Sequence, residues 1–225
     1  MNSATGSMER RGLRIVLGNA TTLEADLGLP RRARGLVLFA HGSGSSRFSP
    51  RNREVAGQLN DAGLATVLVD LLTPDEEAID ERSRQLRFDI ALLADRLVGL
   101  TDWLRVQDRT ASLNLGYFGA STGAAAALMA AAQRPDATCA VVSRGGRPDL
   151  AGQALRRVRA PTLLIVGGND GAVIDMNRHA LELLRGPKQL SIVPGATHLF
   201  AETGALSAVS TLALDWFLRH LVRPL

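Results

Sequence analysis

Leu113-Asn114-Leu115-Gly116-Tyr117-Phe118 runs into Gly119-Ala120-Ser121-Thr122-Gly123, after which small residues continue to Gln133, just before Pro135. The first six residues read as a strand, and residues 121–133 read as a helix. Ser121 therefore sits in a strand-to-helix turn between two glycines. A G-x-S-x-G pattern in that setting is a nucleophile elbow. The turn forces the serine backbone into a strained conformation, and the glycines keep side chains out of a crowded space. The hydroxyl then stands clear at the positive end of the following helix. The competing reading, a helix-capping serine in a glycine-lined turn, does not need the preceding strand.

The same alternation extends outward along the chain. Gly35 to Ala40 is a continuous apolar run, as expected of a strand buried on both faces, and it ends in His41-Gly42-Ser43-Gly44-Ser45-Ser46. Helices are expected from Arg51 to Ala62, from Thr73-Pro74-Asp75 onward, from Arg87 to Val106, from Ala172 to Leu184 and from Leu206 to Leu221. Strands are expected over 65–71, 138–143, 162–166 and 189–193. Leu13 to Leu17 and Thr22 to Leu27, separated by Gly18-Asn19-Ala20, read as an edge hairpin. Strands alternating with helices imply a mostly parallel sheet with helices on both faces. Ligands of such sheets bind beyond the carboxyl ends of the strands, and that rule selects the loops that matter.

A serine nucleophile needs a base, and the chain has four histidines. His179 and His220 fall inside expected helices, and His41 is placed to brace its loop. His198, in Pro194-Gly195-Ala196-Thr197-His198, follows a late strand at the correct sheet edge and is the expected general base. Gly167-Gly168-Asn169-Asp170 follows the preceding strand, so Asp170 is the expected carboxylate that orients the imidazole. Asp175, its competitor, falls in the next helix. The order Ser121, Asp170, His198 is that of α/β-hydrolases. The expected oxyanion-hole donors are the backbone N–H groups of Thr122 and Ser43. A phosphate-binding loop at His41–Ser46 is excluded by the missing Gly-Lys-Ser/Thr ending.

These motifs together resemble the dienelactone hydrolase-like family of α/β-hydrolases, from about Gly35 to the carboxyl terminus. The resemblance implies an α/β-hydrolase fold without a large lid and a hydrolase that needs no cofactor or metal. Dienelactone hydrolases proper use a cysteine nucleophile where this chain has Ser121. Cys139, in another strand, reads as a small apolar filler. Hydrolysis of small to medium carboxylic esters is therefore expected. Lactone, thioester or activated phosphoester hydrolysis on the same residues, or ligand binding with vestigial turnover, remain alternatives. Leu71, Leu72 and Arg144 are expected near the substrate, and Arg47 or Arg144 is the candidate for an acidic substrate group.

Composition bounds the rest. One domain over residues 11–225 is expected, with residues 1–10 as a leader or remnant. Lys188 is the only lysine among 26 basic residues, and the net charge is +4. The short arginine clusters at 31–34 and 156–159 lack aromatic interleaving, so nucleic acid is not an expected partner. A single cysteine excludes an intrachain disulfide. No apolar run reaches the roughly 18–20 residues that span a bilayer. The expected protein is cytoplasmic, a monomer or homodimer, with a small-molecule ester as its partner.

Overall fold

Strands covered on both sides must be apolar in both directions, and the middle of this sheet is built that way. In the computed structural model, which describes residues 8–18 and 21–222, Leu36–Ala40 (β3) and Leu115–Ala120 (β5) are buried at every position. The other strands are Met8–Val16 (β1), Thr22–Pro30 (β2), Ala65–Val69 (β4), Thr138–Arg144 (β6), Thr162–Gly167 (β7) and Lys188–Val193 (β8). They form one eight-stranded sheet in the order β1-β2-β4-β3-β5-β6-β7-β8. β2 runs antiparallel to both β1 and β4, and all other pairs are parallel.

The helices are Pro50–Asp61 (α1), Pro74–Ser83 (α2), Ile90–Leu104 (α3), Thr122–Gln133 (α4), Gly171–Leu183 (α5) and Ala205–Leu221 (α6). Alternation along β5 divides the interior. Tyr117 faces a core shared with α3 and α4, whereas Phe118 faces one shared with α1 and α6. Helix α4 lies close to the sheet because Ala124, Ala125, Ala126 and Ala127 present only methyl groups, all fully buried. This is the mostly parallel, two-sided sheet of an α/β-hydrolase. No helix among the described residues is long and apolar enough to cross a membrane.

Several boundaries differ from expectation for local reasons. Met8, Glu9 and Arg10, expected in the leader, pair with Pro30, Leu29 and Gly28 as the start of β1. Residues 1–7, and Asn19 and Ala20 of the hairpin turn, lie outside the described residues. The helix expected from Arg87 is split. Residues 86–88 form a 3-10 turn, and the Asp89 side chain then caps α3 by accepting from Leu92 N at 3.0 Å. Thr73 and Glu76 form a reciprocal capping box on α2, with Asp75, Glu76 and Glu77 in its first turn, where acidic side chains suit the helix dipole.

Candidate active site

Ser121 occupies φ 50°, ψ −121°, a region that side-chain-bearing residues avoid. The surroundings hold it there. Its N–H donates to Arg144 O at 3.2 Å, and its carbonyl accepts from Ala124 N and Arg147 N, both at 3.1 Å. A Cβ on Gly119 would lie 2.4 Å from Ala124 Cα, and one on Gly123 would lie 2.3 Å from Ala40 O. Both glycines of the elbow are therefore required by close approach of backbone. The Ser121 hydroxyl has no hydrogen-bond partner among the described residues.

Asp170 and His198 are brought together by two loops that bond to each other. Gly168 N donates to Val193 O at 2.8 Å, Asn169 N to Ala196 O at 2.9 Å, and Asn169 Nδ2 to Gly195 O at 2.9 Å. With the loops fixed, His198 Nδ1–H donates to Asp170 Oδ2 at 2.7 Å. A carboxylate on Nδ1 leaves Nε2 as the imidazole's free base. The Asp170 side chain is 17% exposed and that of His198 is 38% exposed, so the carboxylate is shielded while the ring reaches solvent. The ring also approaches the elbow. A Cβ on Gly145, two residues before the amide that bonds Ser121 O, would lie 3.5 Å from His198 Cε1. Asp175 instead pairs with Arg178 on the exposed side of α5, and His179 and His220 lie within α5 and α6.

The loop after β3 departs from expectation in one respect. Ser43 N, the expected oxyanion donor, gives its hydrogen to Thr122 Oγ1 at 2.9 Å. The Thr122 side chain, which motif reading passed over, thereby tethers this loop to the start of α4. Thr122 N is at the first helical position, where an N–H has no partner within the helix. His41 braces the loop's other end. Its Nδ1–H donates to Gly42 O at 2.9 Å, and its Nε2 accepts from Leu71 N at 3.2 Å. Burial pushes its pKa below 6.5, against opposing contributions from Gly42, Asp70 and Glu77.

Beneath the loop, Asp80 is fully buried and ion-paired with Arg87, whose backbone N–H also donates to it at 3.1 Å. Burial alone would raise this carboxyl, but the Arg87 hydrogen bonds outweigh it and hold the pKa below the usual carboxylate range. Sequence reading missed this pair because neither residue belongs to a motif. Of the expected substrate-lining residues, Leu71 is a correction. Its side chain is fully buried in the α3–α4 core, and only its N–H serves the site. Leu72 lines a small cavity with His41, Gly42 and Arg87. Arg144 closes β6 next to Ser121, its side chain nearly buried. Arg47 is neutralised by Asp70 and Asp26. Cys139 lies half-buried in β6.

Residues 23–219 match the family model of the dienelactone hydrolase family. A crystal structure of dienelactone hydrolase from Anabaena variabilis superposes with a TM-score of 0.93 at 59% identity, covering 95% of this chain and 99% of that one. Carboxyl esterase 2 from the fungus Tuber melanosporum shares the fold at 15% identity, with a TM-score of 0.71 over 97% of this chain and 89% of its own. Two Mycobacterium tuberculosis proteins, provisionally named phosphoribosyl transferases, are 56% identical over 93% of this chain. The chain spans 46% of their length, about half of these curated relatives.

Proposed function

The chain belongs to the dienelactone hydrolase family, and from that premise we propose that it is a serine hydrolase of small to medium carboxylic esters. The observation that carries this reading is the Asp170–His198 hydrogen bond of 2.7 Å at the sheet edge where Ser121 is held in its strained turn. His198 Nε2 takes the Ser121 proton as Oγ attacks the ester carbonyl. The tetrahedral oxyanion is held first by Thr122 N–H. Ser43 N–H joins it when the Thr122 hydroxyl turns away. The alcohol departs with the proton from His198, and water activated by the same imidazole then releases the acid and frees Ser121. Asp170 keeps the imidazole oriented and favours the imidazolium formed in each step.

The match to the dienelactone hydrolase family and to a 59% identical dienelactone hydrolase supports hydrolysis over phosphoribosyl transfer. The transferase name belongs to proteins more than twice as long as the matched segment. The test is p-nitrophenyl butyrate hydrolysis by the wild type and Ser121→Ala. Turnover is expected to fall by a factor on the order of 10³–10⁶ in the variant. Full activity in Ser121→Ala would sink the assignment. Turnover of lactones or thioesters in preference to p-nitrophenyl butyrate would move the substrate class while keeping the residues.

A further inference from the structure

Arg144 lies one strand over from the elbow, with its carbonyl bonded to Ser121 N at 3.2 Å. Its residue is only 8% exposed. Its guanidinium reaches the start of α1, where Nη2 donates weakly to Asn52 Oδ1 at 3.5 Å, and it lies 6.0 Å from the Phe200 ring in the His198 loop. Its Nε is buried with no partner, and no carboxylate among the described residues pairs with it. The charged neighbour it does have is another cation, Arg51. That residue also has a buried, unpartnered Nε and no ion pair among the described residues. Burial, reinforced by Arg51, pushes Arg144 down to about 10, so it is still a cation at neutral pH.

The other deeply placed arginines behave differently. Arg47 is paired with Asp70, Arg87 with Asp80, and Arg96 with Glu76. Buried cations are ordinarily paired because an uncompensated charge is costly away from water. Here Arg144, whose carbonyl bonds Ser121 N, and Arg51 meet at the positive end of α1, and neither has a carboxylate partner among the described residues. A carboxylate would balance one of them. A phosphate monoester carries nearly two negative charges at neutral pH, and its oxygens match the guanidinium fork.

We infer that the substrate ester carries a phosphate monoester group, which sits on Arg51 and Arg144 and fixes the scissile carbonyl at Ser121. This deepens the ester-hydrolase reading and rests on it for the reaction, but the anion subsite is separately measurable. The experiment has two arms. In the first, kcat/KM is compared for glycerol monobutyrate, its 3-phosphate and its 3-hemisuccinate with the wild type, Arg51→Gln and Arg144→Met. In the second, binding of inorganic phosphate to the same proteins is measured by calorimetry.

The phosphate-bearing ester is expected to exceed the neutral one by roughly tenfold or more, about what one charge-assisted contact supplies. That ratio should fall toward one in both variants, and phosphate binding should weaken in step. Arg51 is half-exposed on α1, so Arg51→Gln decides the matter even where Arg144→Met fails to fold. Preference for the hemisuccinate over the phosphate would overturn the dianion assignment. So would a wild type that binds no phosphate and shows no preference. Phosphate binding that both variants lose, with no ester turned over, would keep the subsite and sink the hydrolase reading.

Discussion

Gly123 sets the geometry of the Ser121 turn from outside it. A methyl group there would meet Ala40 O at 2.3 Å and His41 O at 2.4 Å, backbone atoms that cannot swing aside as a side chain would. Gly123→Ala must therefore separate α4 from the end of β3. We expect a loss of about 1–3 kcal/mol in urea denaturation, the usual cost of overpacking a filled interior. Under the proposed function, hydrolysis of p-nitrophenyl butyrate should fall with it, because the displaced carbonyls lead into the loop that carries Ser43. An unchanged urea midpoint would contradict the close approach. Asp170→Asn isolates a different effect. The shape is kept, but the carboxylate that accepts from His198 Nδ1 at 2.7 Å is lost. By analogy with serine-protease triads, kcat is expected to drop about 10³–10⁴-fold with KM little changed. Near-normal kcat would assign Asp170 to the architecture of the two loops alone.

The loop from His41 to Ser49 depends on neighbouring elements for its shape, and His41 makes that dependence sensitive to pH. Nε2 accepts from Leu71 N beyond β4, which requires the neutral ring. Its folded pKa lies below 6.5 because of burial, so the unfolded chain takes up a proton first as the pH falls. The stabilisation is present above pH 6.5 and is lost as the pH drops from there toward the folded value. The melting temperature should fall between pH 7 and pH 5, and by less in His41→Gln, which does not titrate. Parallel pH profiles for the two proteins would show that other groups set the acid limit. How much of this was legible beforehand follows from how local each signal is. The elbow, the Thr73 cap and the alternation of β5 are written in contiguous residues, and so are the strand ends that place Asp170 and His198. The ion pair of Asp80 with Arg87 depends on a turn with no motif, and the Ser43–Thr122 bond joins residues 79 apart. Arg47 and Arg144 looked alike in sequence. Only the fold, by bringing Asp70 and Asp26 to one and, among the described residues, no carboxylate to the other, separates them.

At the scale of the molecule, one sheet serves two cores. Tyr117 and Phe118 are consecutive residues of β5, yet one belongs to the α3–α4 side and the other to the α1–α6 side. Neither layer keeps its apolar face covered if the central strands separate, so the two faces should unfold together. The chain spans only 46% of its Mycobacterium tuberculosis relatives, and this coupling predicts that it nonetheless folds as one cooperative unit. The two tryptophans report on opposite faces, Trp103 from α3 and Trp216 from α6. In Trp103→Phe the remaining fluorescence follows the α1–α6 side, and in Trp216→Phe it follows the α3–α4 side. Comparing each variant's fluorescence midpoint in urea with its own far-ultraviolet circular dichroism midpoint removes the cost of the substitution itself. Coincident midpoints in both variants are expected. An early fluorescence transition in Trp103→Phe alone would mean that α1 and α6 detach before the sheet does. The Arg51–Arg144 corner would then be lost before the elbow, because Arg51 is carried on α1 whereas Ser121 is anchored by the sheet and α4.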